Sequence, residues 1–301
     1  MATSGRAHRF FRPYPDRDVA LPGGSTFRLP FHCYDAETWI VGGTVSLAPL
    51  TRWLDPEDLV PVQLRPEGGR PVGAAWLWIN DYRDTNCGPY KELVVAFAAA
   101  RYTFEVPLRN TASVFAPLAH QLGLVFTRFL FLDEEKPIAL GREVWGFPKE
   151  AGSLDLQRAP DRFRARVADA QGREVIDLDV RHRQGAVPFA VGALRAGRAI
   201  GFERVATIAL SPALPLMVVT PKQIKASRVS GRMHGRPLLY RWKDDDRLRL
   251  GTRTECGAAL SDLGFSPTAV QHYDPLRFVL LEDPDTLRAP SSDQTNYDSE
   301  I

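Results

Sequence analysis

The sequence predicts an α+β domain organised mainly around antiparallel sheet, open or closed into a barrel, with a few peripheral helices. Three observations carry this. Short runs rich in β-branched and aromatic residues outnumber helix-like segments. The 24 prolines and 23 glycines are scattered and mark many turns rather than one linker. No repeat period and no break in composition divides residues 41–285, so that stretch is expected to be one domain, with a 1–40 N-terminal arm and a polar 286–301 tail.

In chain order, the strand candidates are ELVVAFA (92–98), RYTFEV (101–106), FTRFLFL (126–132), EVIDLDV (174–180), VATIAL (205–210), LPLMVVT (214–220) and RFVLLE (277–282). The run FRARVADAQGREVIDLDV reads as a hairpin about DAQG, with Gly172 supplying the permissive turn position. Two segments read as helices. LDPEDLVP offers Asp55 as N-cap and Pro56 at the first helical position. NTASVFAPLAHQLG opens on a cap residue and stops at Gly123, with Pro117 interrupting it.

Composition excludes several functions. Of the 301 residues, 44% are hydrophobic and 25% charged, an ordinary globular mix. A net charge of +2 does not mark a nucleic-acid binder. Basic residues cluster at 6–12 and 222–249, but Asp244, Asp245 and Asp246 interrupt the second cluster, so it reads as a solvated surface. Cys33, Cys87 and Cys256 are odd in number and lack CxxC spacing, and the six histidines are scattered, His32 beside Cys33 reading as local packing. Neither a disulfide framework nor a metal site is expected, and free thiols fit a reducing cytosol. No apolar run reaches the ~18 residues of a membrane span, and the first residues lack a signal-peptide apolar core. The expectation is a cytoplasmic protein without membrane or nucleic-acid partners.

One stretch departs from ordinary surface chemistry. In GREVWGFPKE (141–150), Lys149 directly follows Val144, Trp145, Gly146, Phe147 and Pro148. Its neighbours favour burial, whereas an ammonium favours water. The longer run LDEEKPIALGREVWGFPKE resembles the Schiff-base lysine segment of the acetoacetate decarboxylase family, approximately L-D-x-E-x-x-x-x-x-G-R-E-x-x-[GA]-[FY]-P-K-K. Leu132, Asp133, Glu135, Gly141, Arg142, Glu143, Gly146, Phe147, Pro148 and Lys149 fall in register. Upstream, CGPYKE resembles the family's G-x-Y-x-E segment through Gly88, Tyr90 and Glu92, and LDPEDLVPVQL resembles its D-P-E stretch. The resemblance covers roughly residues 44–150. It implies a cone-shaped β-barrel-like fold, a homo-oligomer, a small-molecule carbonyl substrate and no cofactor. It also implies Lys149 as the imine-forming amine and Glu92 and Tyr90 as proton-transfer and hydrogen-bonding partners. Arg142 and Glu143 read as residues that tie the loop together.

Schiff-base formation needs a neutral amine. At an ordinary pKa of about 10.4, only on the order of 0.1% of a lysine is neutral at pH 7. Apolar surroundings favour the neutral form, as does a neighbouring cation, an effect for which acetoacetate decarboxylase is itself the standard example. Here the family's second lysine is Glu150, a carboxylate that opposes this if it approaches Lys149 or a proton-transfer group if it faces the substrate. The family's arginine before the first strand and its glutamate about fifteen residues before Tyr-x-Glu are not apparent either. GGTVSL and AAWLWIN occupy those neighbourhoods. Trp76, Trp78, Trp145 and Phe147 are candidate walls of a substrate pocket, Trp76 and Trp78 sharing one strand face if that segment is extended. The resemblance, taken with these departures, therefore implies a lysine-imine lyase of the aldolase or dehydratase kind, as other members of the family are. A β-keto acid decarboxylase and a noncatalytic homologue are the alternatives.

Overall fold

The computed structural model describes residues 6, 8–20, 24–119, 123–182, 187–188, 214–219, 228–235 and 238–281. A short hairpin, β1 (Arg17–Ala20) and β2 (Thr26–Leu29), precedes the long β3 (Phe31–Val45) and helix α1 (Leu47–Leu54). There follow β4 (Val60–Pro61), β5 (Gln63–Pro66), β6 (Gly73–Thr85), β7 (Tyr90–Ala100), β8 (Glu105–Leu108) and β9 (Leu124–Leu132). Helix α2 (Glu135–Trp145) leads into β10 (Lys149–Ala159), β11 (Arg162–Asp169) and β12 (Glu174–Arg181). The remaining elements are β13 (Val187–Pro188), β14 (Leu214–Val219), β15 (Arg228–His234), β16 (Leu238–Arg241), β17 (Arg247–Leu250), α3 (Glu255–Asp262) and β18 (Ser266–Leu280).

Fourteen of these strands form one sheet, and part of it closes on itself. β9 pairs with β14, followed by β15, β18, β3, β6 and β7, and β7 pairs back to β9. The ring is antiparallel except at β9–β14. β7 takes one edge of β9. The other edge is shared by β14, at Val125–Phe126, and β10, at Leu130–Leu132. β10 therefore leaves the ring and starts an outer layer, continued antiparallel by β11, β12 and β17. This is the predicted α+β barrel architecture with few helices.

Both faces of the wall are buried, which explains why its strands read as nearly continuous apolar runs. In β6, Trp76 and Trp78 join a cluster around the barrel interior. The alternate Leu77 and Ile79 join a second cluster with Phe163, Val167 and Leu178 of the outer strands, Leu50 and Leu54 of α1, and Leu260 of α3. Ion pairs pin the layers together: Arg158 of β10 bonds Glu37 of β3 and Asp81 of β6. Glu37 also accepts from Trp39 Nε1 at 2.9 Å and meets His272 Nε2 at 3.1 Å. Trp39 lies stacked against Phe163 and His272.

Several elements differ from the sequence expectation. The helix near Asp55 lies earlier, at α1, with Pro49 tolerated in its first turn. Asp55–Glu57 is only a 3₁₀ turn that ends it. The 111–119 segment is 3₁₀ rather than α, with Pro117 inside it, and Asn110 Oδ1 accepts from Ala112 N at its start. RYTFEV is strand only from Glu105, because β8 pairs with β5 and the chain bends at residues 101 and 102. Residues 277–280 of RFVLLE are the end of a strand that begins at Ser266. The predicted hairpin is β11–β12, with Gly172 at φ 71°. VATIAL and the 286–301 tail lie outside the described residues. β3 runs across position 40 without a break.

The Glu37 cluster generates a stability prediction. Burial alone would raise this carboxyl, but hydrogen bonds from His272, Arg158 and Trp39 outweigh it and bring its pKa from 4.5 down to about 2. A depressed carboxyl stabilises the fold above its unfolded value, and that contribution is lost as pH falls toward about 2. The contribution is on the order of 2–3 kcal/mol, towards the lower end because Arg158 is partly solvated and its share is screened. Urea titrations at pH 7, 4 and 2.5 should show this loss, and Glu37→Gln should remove that part of the pH dependence.

Candidate active site

The local fold around Lys149 follows from its sequence. α2 ends at Gly146, whose φ of 66° is the left-handed conformation that glycine adopts without strain. Gly146 N donates to Arg142 O at 3.1 Å and Phe147 N to Gly141 O at 3.0 Å, closing the last turn. Pro148 cannot continue the helix, and β10 begins at Lys149. Arg142 Nε donates to Lys149 O at 2.7 Å, tying the end of the helix to the start of the strand.

This turn sends the Lys149 side chain into the barrel, where it is only 6% exposed. Nζ lies 3.1 Å from Glu92 Oε1. Glu92 is 4% exposed, and its other oxygen accepts from Tyr82 OH at 2.8 Å. Tyr90 and Phe147 rings stand 5.7 and 5.9 Å from Nζ, measured to their centres. Burial pushes the Tyr82 and Tyr90 phenols well up, and the Glu92 charge adds to the shift, so both stay neutral donors.

The strand register assembles these groups. Across β6–β7, Tyr82 is paired with Tyr90, Asn80 with Glu92 and Trp78 with Val94. Residues paired across antiparallel strands project to the same face, so one inward patch carries all six. With Lys149 entering from β10, they border a cavity of about 80 Å³, several times the volume one water occupies. Its remaining wall is mostly apolar, including Trp145, Phe147, Phe31 and Phe278.

Of the residues singled out in the sequence, Lys149, Glu92, Tyr90, Trp78, Trp145 and Phe147 line this one cavity. Trp76 does not. It is fully buried and its indole donates to Val114 O at 3.0 Å, a packing role. Glu150 does not either. Strand alternation turns it outward, where it is exposed and its charge acts on Cys256. Sequence reasoning missed Tyr82 and Asn80. The alternation Trp76, Trp78, Asn80, Tyr82, folded back at the 86–89 turn, carries the information, but only once the register is known.

Gly141 has a steric role in this site. A Cβ there would lie 2.4 Å from both Cδ and Cε of Lys149. Because those atoms belong to a flexible side chain, Gly141→Ala should displace the amine rather than break the helix. Alanine also favours the helix by up to about 1 kcal/mol. The expected outcome is unchanged or higher thermal stability with at least about tenfold slower reaction at Lys149, a cost of about 1.4 kcal/mol in barrier height. Differential scanning calorimetry and a carbonyl-trapping rate, measured on one preparation, check both halves.

Comparison with known proteins bears on the same barrel. The family model described as acetoacetate decarboxylase (ADC) matches residues 53–207, just over half of the chain. Among solved structures, acetoacetate decarboxylase from Legionella pneumophila has a TM-score of 0.51 and 17% identity, covering 91% of this chain and 91% of that one. An acetoacetate decarboxylase-like enzyme from Sphingomonas wittichii RW1 has a TM-score of 0.46 and 15% identity, covering 82% and 91%. The enduracididine biosynthesis enzyme MppR, solved with the condensation product of pyruvate and imidazole 4-carboxaldehyde, has a TM-score of 0.42 and 13% identity, covering 85% and 90%. No curated protein matches the sequence. The Legionella likeness supports the fold, and with the family match over residues 53–207, this chain belongs to the acetoacetate decarboxylase family.

Proposed function

We propose that this chain is a Schiff-base-forming lyase of the aldolase or dehydratase kind, with Lys149 as the nucleophile. The observation that carries the reading is the Lys149–Glu92 contact of 3.1 Å inside a largely apolar cavity. A lysine and a carboxylate so placed can exchange a proton without solvent. Glu92 accepts a proton from the Lys149 ammonium, and the freed amine adds to the substrate carbonyl carbon. A proton passes from nitrogen to oxygen to give the carbinolamine. Glu92 returns its proton to that hydroxyl, water leaves, and a protonated imine remains.

The protonated imine is the electron sink for the bond-breaking step. In a retro-aldol step, Glu92 takes the proton of a β-hydroxyl. The Cα–Cβ bond breaks, its electron pair passes through the enamine to nitrogen, and an aldehyde departs. In a dehydration, Glu92 takes an α-proton instead, and the β-hydroxyl leaves with that proton as water. Tyr82 holds Glu92 in place through its 2.8 Å bond. The apolar wall of Trp145, Phe147 and Trp78 limits the entry of water, which strengthens these electrostatic interactions.

Decarboxylation is the second reading, and one observation favours it. Glu150 faces outward, so the charge expected to oppose Lys149 is not in the cavity. Against efficient decarboxylation, no arginine lines the cavity among the described residues, and Lys149 is its one described cation. The proposal also includes a cytosolic homo-oligomer that works without a cofactor.

Borohydride reduction in the presence of keto acids, hydroxy ketones and aldehydes should add the reduced substrate mass to the peptide containing Lys149. Lys149→Arg should abolish both labelling and turnover, because a guanidinium cannot become a neutral nucleophile at working pH. Labelling elsewhere, or none, counts against the reading. CO₂ release from acetoacetate is expected to be weak, and robust release would return the function to decarboxylation.

Glu92→Gln keeps an acceptor for Tyr82 but removes the proton carrier. It should slow turnover by roughly 10²-fold or more. Steady-state kinetics at the wild-type rate would make Glu92 a structural residue.

A further inference from the structure

Two buried donors in the cavity that holds Lys149 have no acceptor among the described residues: Trp78 Nε1 and Asn80 Nδ2. Both residues line the cavity, and they are 9% and 2% exposed. They sit two apart on β6 and so face the same side. A buried polar hydrogen without a partner is costly, and native structures satisfy the great majority of such groups.

The Asn80 carboxamide is also oriented. Thr38, fully buried on β3 and paired with Asn80, donates its hydroxyl to Asn80 Oδ1 at 2.9 Å. That bond occupies the amide oxygen and leaves the NH₂ group as the free end. On the other side of Asn80, its partner across the strands is Glu92. A row of Thr38, Asn80 and Glu92 thus crosses three strands and ends at the amine of Lys149.

We propose that Trp78 Nε1–H and the Asn80 NH₂ form a two-donor subsite that takes the oxygen of an uncharged hydroxyl or carbonyl group on the substrate. The inference rests on the lysine-imine reading and narrows its substrate to an aldehyde or ketone bearing a second, neutral oxygen one or two carbons from the imine carbon. The chemistry selects a neutral group. Paired residues on adjacent strands have Cβ atoms roughly 5 Å apart, so an oxygen held by Asn80 lies close to the Glu92 carboxylate. A substrate carboxylate there would lie against the like charge of Glu92, with neutral donors and only the imine cation to offset it, whereas a hydroxyl or carbonyl meets no such repulsion. The same placement brings a β-hydroxyl within reach of Glu92, the group that must take its proton in a retro-aldol step.

The test compares three probes by their rate of borohydride-trapped labelling at Lys149: diacetone alcohol, a β-hydroxy ketone; methyl isobutyl ketone, which lacks its hydroxyl; and acetoacetate, which carries a carboxylate. Wild-type protein should label at least about tenfold faster with diacetone alcohol than with methyl isobutyl ketone. That ratio should fall to near one in Asn80→Leu and in Trp78→Phe. Trp78→Phe keeps the aromatic bulk and serves if the Asn80 variant does not fold. Thr38→Val should lower the ratio partway, because it releases the amide without removing it. A ratio near one in wild type, or one that both variants leave intact, overturns the subsite. So does faster labelling by acetoacetate that depends on Asn80. No labelling of Lys149 by any probe defeats the lysine-imine reading itself, a result distinct from labelling that ignores the hydroxyl.

Discussion

The candidate site is built around a lysine buried against a glutamate. Lys149 and Glu92 are 6% and 4% exposed, and their charged ends are 3.1 Å apart. Removing two such ions from water costs several kcal/mol each, and their mutual attraction offsets this only with good geometry and further hydrogen bonds. Tyr82 supplies one of those bonds. The rest of the wall is mostly apolar, and its Trp78 and Asn80 donors do not bond Glu92. Apolar residues of similar volume would fill this space at lower cost, which is consistent with the functional role proposed for the pair.

That cost is met by a wall buried on both faces. The inner face of β6 and β7 encloses the cavity, and the outer face packs beneath β11, β12, α1 and α3. Closure of β7 onto β9 fixes the register that places Glu92 opposite Asn80 on one side and Leu132 on the other. β10 pairs Lys149 with Leu130 of the same β9. Lys149 and Glu92 are therefore held by two strands that share a neighbour, and a slip of one residue in either would turn its side chain out of the barrel.

Much of this was legible in the sequence because the turn that carries Lys149 is local. A helix, a left-handed glycine, a proline and a strand-initiating lysine lie within a few residues, and each has its own backbone requirement. Lys149, Glu92, Tyr90, Trp78, Trp145 and Phe147 could be placed together for that reason and through the family resemblance. Features that depend on strand pairing were not legible. Trp76 and Trp78 share a strand face, yet Trp76 is capped by Val114 O and only Trp78 reaches the cavity. Glu150 raises a charge conflict in the sequence that strand alternation removes. Tyr82 and Asn80 carry no local pattern and acquire meaning only opposite Tyr90 and Glu92. The helix before Asp55 is hidden because Pro49, in the first turn of α1, reads in isolation as a breaker.

If the buried pair exists for chemistry, removing all of its polar groups together should not weaken the fold. The direct measurement is the unfolding free energy of Lys149→Met alone and of the triple variant Tyr82→Phe, Glu92→Leu, Lys149→Met. Lys149→Met leaves a buried carboxylate without its cation and should cost about 3–5 kcal/mol, whereas the triple variant should equal or exceed wild type by up to about 4 kcal/mol. It should also take up no carbonyl label. A triple variant several kcal/mol less stable than wild type would show that the pair holds the barrel together, and would contradict its assignment as the reactive element.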